Sequence, residues 1–213
     1  MTGAQAAGGQ GYAAIVLAAG AGSRFGGGKL LAPWRGQPLV AGAIRAALAT
    51  PSDPVLVVTG TDAAAVGDAC RAAAGRLGGG ARVRLVHAPD HAEGMGASLR
   101  AGIAALPGNL RGVFVFLGDM PEIPAEVYTP LVVALEAGAP AAAPFHEGRR
   151  GHPVLFSAQL LPDLARASGD AGAREVLAAL GGRLARVETA STGILFDVDR
   201  PADLAGGGGS GAA

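Results

Sequence analysis

Sulfur chemistry is almost missing from this chain: Cys70 is the single cysteine among 213 residues, which excludes an internal disulfide framework and a cysteine-clustered metal site. The expected role of Cys70 is helix packing. Excess charge of one sign is missing too. Seventeen Lys and Arg balance seventeen Asp and Glu, so no global field draws the protein to nucleic acid or to an anionic membrane. Partners have to be recognised locally. The hydrophobic fraction is 50%, yet it is carried mainly by alanine, and no apolar run reaches the roughly 20 residues of a membrane helix. The first residues lack the charged start and long apolar stretch of a signal peptide. The expectation is therefore a soluble, cytoplasmic protein. No internal repeat is visible.

What the chain does have is a regular alternation. Short β-branched runs at Ala13–Leu17, Val55–Thr59, Val83–His87 and Val113–Leu117 read as strands, separated by helices near Pro38–Thr50, Asp62–Arg76 and Ala97–Leu106. That alternation predicts an α/β fold: a Rossmann-like three-layer sandwich whose mostly parallel sheet carries helices on both faces. After Pro124 a helix runs to about Ala137, followed by a strand near Ala141–Pro144, a turn over Glu147–Gly151 and a returning strand at Val154–Phe156. Asp170 is placed to cap a helix ending at Leu180, and Leu184–Glu188 and Ile194–Asp197 read as two final strands. The length suits one domain, expected over residues 13–205, with linker-like flexible tails at 1–12 and 206–213.

The densest chemical signal is the first strand with the loop that leaves it. Leu17-Ala18-Ala19-Gly20 runs into a glycine-rich loop carrying Arg24 and Lys29. Glycines let backbone N–H groups approach phosphate oxygens, and the two cations add the charge that a triphosphate needs. Leu30 follows Lys29, so the Walker A spacing is not met and a P-loop NTPase is excluded. Neither is the dinucleotide fingerprint, because Phe25 stands where its third glycine belongs.

Ligands of such a sheet lie beyond the carboxyl ends of its strands, and the other candidates fall there. Asp119, in Gly118-Asp119-Met120-Pro121 just past a buried strand, suits a hard divalent cation. Asp197 and Asp199 share a strand face near the other end, where one of them could instead only cap a final helix beginning at Pro201. Gly94, Gly96 and Ser98 open a helix where backbone can approach a base or ribose. Arg149, Arg150 and His152 form a compact group beside a turn, suited to an acceptor phosphate. Arg174 is either a further acceptor contact or a helix-surface charge.

Taken together, LAAGAGSRFGGGKLL, GMGASL, FLGDMP, GRRGHPVLF, GDAGAR and DVDRPADL occur here in the order found in the MocA-like molybdenum cofactor cytidylyltransferases, within the MobA-like NTP transferase group. The chain resembles that branch from about Ala13 to Leu204. The resemblance implies transfer of CMP from CTP to the phosphate of molybdopterin, with Mg²⁺, in the service of a molybdenum hydroxylase or its maturation factor. It implies a nucleotide pocket of Leu17, Ala18, Ala19, Gly20, Gly94, Gly96 and Ser98, with Arg24 and Lys29 on the triphosphate. Asp119 and Asp199 would bind the metal. Arg150, Gly151, His152, Pro153 and Arg174 would receive the acceptor. Ala19, where guanylyl-transferring relatives tend to carry glycine, tilts the choice toward CTP. Two other functions fit the same motifs: nucleotidyl transfer to another small phosphorylated acceptor, and an NADPH-dependent oxidoreductase of the nicotine blue type.

Overall fold

The computed structural model describes residues 11–169 and 172–205. In chain order the elements are β1 (Tyr12–Ala18), a small hairpin of β2 (Pro33–Trp34) and β3 (Gln37–Pro38), α1 (Val40–Leu48), β4 (Ser52–Thr59), α2 (Ala63–Arg76), β5 (Val83–His87), α3 (Met95–Ala104) and β6 (Gly112–Leu117). There follow α4 (Tyr128–Glu136), β7 (Ala141–His146), β8 (Arg149–Arg150), β9 (Val154–Ser157), α5 (Leu161–Leu164), α6 (Arg174–Leu180) and β10 (Leu184–Glu188). The main sheet has the order β10-β7-β9-β6-β1-β4-β5, with β8 paired to β7. Pairings along β5-β4-β1-β6 are parallel, as is β7 with β10; β9 runs against both β6 and β7. This is the expected α/β sandwich with a mostly parallel sheet.

The reason β1 is central lies in its sequence, apolar on both faces. Ala14, Val16 and Ala18 point into one core with Val40 and Ile44 of α1, Cys70 of α2 and Leu131 of α4. The alternate residues Ala13 and Ile15 point into the other, with Leu99 of α3, Leu164 of α5 and Leu177 of α6. Cys70 is fully buried on α2, as expected of a packing residue, and burial pushes its thiol up to about 12. Among the described residues no helix is long and apolar enough to cross a membrane.

Several expectations need correction. The first strand begins one residue earlier than expected, at the buried Tyr12. Ile194–Asp197 is not a strand. Thr192–Leu195 is a short 3₁₀ turn, capped where the Ser191 hydroxyl accepts from the Gly193 N–H, and the Ile194 carbonyl accepts from the His152 N–H rather than from a strand. Asp170, expected to cap the helix ending at Leu180, lies outside the described residues. The β2–β3 hairpin is not visible from pattern; two-residue strands carry no periodicity.

The chain order explains where a ligand fits. From β1 it steps to β4 and β5 on one side and only then to β6 on the other, so the strand order reverses between β1 and β6. The loops leaving those two strands diverge and open a crevice at their carboxyl ends.

Candidate active site

Three segments far apart in sequence meet at that crevice. The Gly118 N–H donates to the Leu17 carbonyl at 2.9 Å, which extends the β1–β6 pairing by one step and sets Asp119 beside the β1 loop. The Val198 N–H donates to the Asp119 carbonyl at 3.1 Å, bringing Asp197 and Asp199 alongside. Trp34, Leu39 and Val198 form a separate small core packed by Phe25, Phe196 and Leu204, with the Trp34 and Phe196 rings 5.5 Å apart. That core ties the cation-bearing loop and the acidic segment to one platform.

Lys29 is the centre of the arrangement. Its Nζ donates to Asp119 Oδ2 at 2.7 Å and lies 3.5 Å from Asp199 Oδ1. The Lys29 and Asp119 side chains are 13% and 22% exposed, so the pair is only partly solvated. Arg24 reaches Asp199 Oδ2 at 3.4 Å but is 77% exposed, and that contact is correspondingly weak. Asp203 performs the capping for which Asp197 and Asp199 were the candidates: its Oδ2 accepts from the Asp199 and Arg200 N–H groups at 2.9 and 2.7 Å. The Asp199 carboxylate is thereby left to the cations. Asp197 has a raised pKa, from burial first and then from the negative charges of Asp119 and Asp199. It is a neighbour of the cluster, yet among the described residues no group of three or more His, Cys, Asp or Glu closes around one point. The two carboxylates that converge on Lys29 have the hard oxygen chemistry that would hold a divalent cation.

A cavity of about 500 Å³ opens beside this cluster, large enough for a nucleotide. Leu17, Ala18, Ala19, Gly20, Lys29, Gly94, Ser98 and Asp119 all line it. Gly94 holds φ +113°, ψ −175°, a backbone region essentially reserved for glycine, where the chain turns into α3 and sets Met95 and Ser98 in the cavity wall. Gly96 is elsewhere. It is buried with its Cα against the Ser168 backbone, where a Cβ would come within 2.7 Å. The close approach of α3 to the Ser168 backbone by itself requires a glycine there.

On the acceptor side the histidine departs from expectation. His152 Nδ1 is buried without a hydrogen-bond partner, and burial drives the ring down to about 4 despite a backbone hydrogen bond at Val115. The ring is thus neutral at pH 7 and cannot be a third cation beside Arg149 and Arg150. The charges of both Arg150 and Asp119 reach it. Gly151 and Pro153 beside it are buried. Arg150 has its pKa lowered by burial and by Arg174, which places those two guanidinium groups near one another. Among the described residues neither has an ion-pair partner. Two like charges side by side without a carboxylate make a ready site for an anion.

The MobA-like NTP transferase domain matches residues 14–187. The chain belongs to that family. Molybdenum cofactor cytidylyltransferase of Escherichia coli is 28% identical over 190 residues, covering 89% of this chain and 92% of the relative. Nicotine blue oxidoreductase of Paenarthrobacter nicotinovorans is 36% identical over 171 residues, with 76% and 79% covered. In three dimensions, a nucleotidyl transferase from Methanothermobacter thermautotroptrophicus matches with a TM-score of 0.73 at 25% identity, over 92% of this chain and 94% of that one. The MobA-like domain also puts Thr61 in the cavity wall, a residue that none of the sequence motifs singled out, together with His91 and Ala92 from the loop that leads to Gly94. Thr61 follows β4 and His91 follows β5, so the strand-end rule that selected Asp119 also pointed to them.

Proposed function

We propose that this MobA-like domain is a cytidylyltransferase that moves CMP from CTP to the phosphate of molybdopterin, releasing pyrophosphate, with Mg²⁺ as its metal. The observation that carries the reading is Lys29 bracketed by Asp119 and Asp199 at one end of a nucleotide-sized cavity. A phosphate oxygen of the acceptor attacks the α-phosphorus in line, the new P–O bond forms, and the bond to the bridging oxygen breaks as pyrophosphate leaves. The acceptor phosphate is already ionised at neutral pH, so no general base is needed, in keeping with a neutral His152. The chain's own work is alignment and charge stabilisation. Lys29 and Arg24 face the triphosphate, Arg150 and Arg174 hold the acceptor's phosphate, and Gly151 to Pro153 shape the wall between them. Mg²⁺ held by Asp119 and Asp199 would offset charge on the reacting phosphates.

The likeness to nicotine blue oxidoreductase supports a second reading, in which a nicotinamide nucleotide fills the same cavity. Pyrophosphate release separates the two. With Mg²⁺ and molybdopterin carrying molybdenum, CTP should release pyrophosphate while GTP, ATP and UTP do not. Silence with all four nucleotides, together with NADPH oxidation in the presence of a pyridine dye, would replace the first reading by the second.

A further inference from the structure

The cavity has two chemically different ends. Lys29 and Asp119 mark the end for phosphate and metal; Thr61, His91 and Ala92 lie where the loops after β4 and β5 meet. A nucleotide with its phosphates at the first end directs its base toward the second. His91 is the side chain there with hydrogen-bonding capacity in a ring, and its orientation is fixed. Its Nδ1 lies 2.9 Å from the Ala88 carbonyl. Because a carbonyl only accepts, Nδ1 carries the proton, and in the neutral ring Nε2 is an acceptor. The ring is wedged against Gly60, where a Cβ would collide with His91 Cγ and would also lie 2.7 Å from the Ala19 carbonyl. Glycine is the only residue that lets the three backbones and the ring meet. Among the described residues His91 Nε2 has no protein partner, and it is not one of their buried, unsatisfied side-chain atoms. It is therefore an open acceptor on a side chain that lines the cavity.

We infer that His91 is a specificity-determining residue, whose Nε2 accepts a hydrogen bond from the exocyclic amino group of the nucleotide base. An acceptor held in that place favours a base with an amino group at its edge, cytosine or adenine. It faces the carbonyl oxygen of uracil or guanine with lone pair against lone pair. A misplaced acceptor is penalised more heavily than a lost bond, because the buried polar atoms on both sides are left unpaired.

This assignment rests on the nucleotidyltransferase reading, and the test separates the two. Equilibrium binding of CTP, UTP and inorganic pyrophosphate is measured at pH 8 with Mg²⁺ present, using the full chain and its His91→Ala and His91→Gln variants. The wild type should bind CTP at least about tenfold tighter than UTP. His91→Ala should collapse that ratio toward one while pyrophosphate affinity holds. His91→Gln, whose side-chain oxygen can accept in place of Nε2, should restore part of the ratio, which a merely structural role would not do. A CTP to UTP ratio unchanged in both variants overturns the role of His91 and leaves the nucleotidyltransferase reading standing. A wild type that binds neither nucleotide overturns both.

Discussion

The proposed metal site sets Lys29 and the metal in competition for the same oxygens, and Lys29→Met should reveal it through effects of opposite sign. The ammonium lies 2.7 Å from Asp119 Oδ2 and 3.5 Å from Asp199 Oδ1. At an effective dielectric of about 20, those separations correspond to roughly 6 and 5 kcal/mol of gross attraction. Desolvation and side-chain ordering consume most of it, and charge-assisted hydrogen bonds retain about 1.5–3 kcal/mol net. A divalent ion arriving without nucleotide has to displace the ammonium and forfeit that sum. Removing the ammonium should therefore tighten nucleotide-free Mn²⁺ binding by about 10- to 100-fold, read by calorimetry or by the loss of the free-ion electron spin resonance signal. Turnover with CTP should move the other way, falling by about 10²–10³, as when one preorganised donor is lost. A Lys29→Met protein that binds Mn²⁺ no better than wild type would show that the ammonium does not stand in for the metal, and the two-carboxylate site would lose its support.

The acceptor side makes a separable claim. Arg150→Ala and Arg174→Ala should each raise KM for the phosphorylated acceptor by about tenfold or more, with CTP affinity unchanged and no loss of thermal stability, since each removes a cation from beside another. Equal losses for CTP and acceptor would move both arginines to the triphosphate. Gly96→Ala should destabilise the fold by about 1–3 kcal/mol in urea unfolding, because the Ser168 backbone cannot yield to a Cβ at 2.7 Å, while nucleotide affinity holds; weaker nucleotide binding at unchanged stability would return Gly96 to the base site. His152 sets a pH dependence. Its folded pKa of about 4 lies below the ordinary histidine value of about 6.5, so the unfolded chain binds the proton first and stability is lost as pH falls from about 6.5 to about 4. The loss amounts to at most about 3 kcal/mol, less as solvent reaches the partly exposed ring. His152→Gln should flatten that part of the profile, and an unaltered slope would mean that the ring is not held neutral by burial.

The sheet is legible wherever burial on two faces forces a run of apolar residues. β1, β4 and β6 are such runs, and their ends fall within a residue or two of expectation, except that β4 starts earlier, at Ser52. The placement of β9 is not legible. Its four residues read as a strand, but nothing in them says that they insert between β6 and β7 and run against both. Ile194–Asp197 fails for a related reason. Ile194 and Val198 are buried, as strand residues would be. What they meet is different: the Ile194 carbonyl serves His152, and Val198 fills the small core around Trp34. Apolar alternation reports burial, and burial by a loop over a site looks the same as burial in a sheet.

At the site, residue types are readable and their pairing is not. Lys29 and Asp119 are 90 residues apart, Arg24 and Asp199 are 175 apart, and no local pattern couples them. The coupling alters the electrostatic argument. Two cations in a glycine-rich loop read as a phosphate trap by themselves, but in the folded protein they face Asp119, Asp199 and the nearby Asp197, whose pKa is raised by burial first and then by those two carboxylates. Carboxylates in that number cannot attract a triphosphate. On the proposed function, a divalent ion held by Asp119 and Asp199 would reverse the local balance and free Lys29 for the phosphates. Each of the two ligands would thus create the conditions for the other. On the proposed function, metal and nucleotide would therefore enter as one unit, with the Lys29 ammonium beside Asp119 and Asp199 until they do.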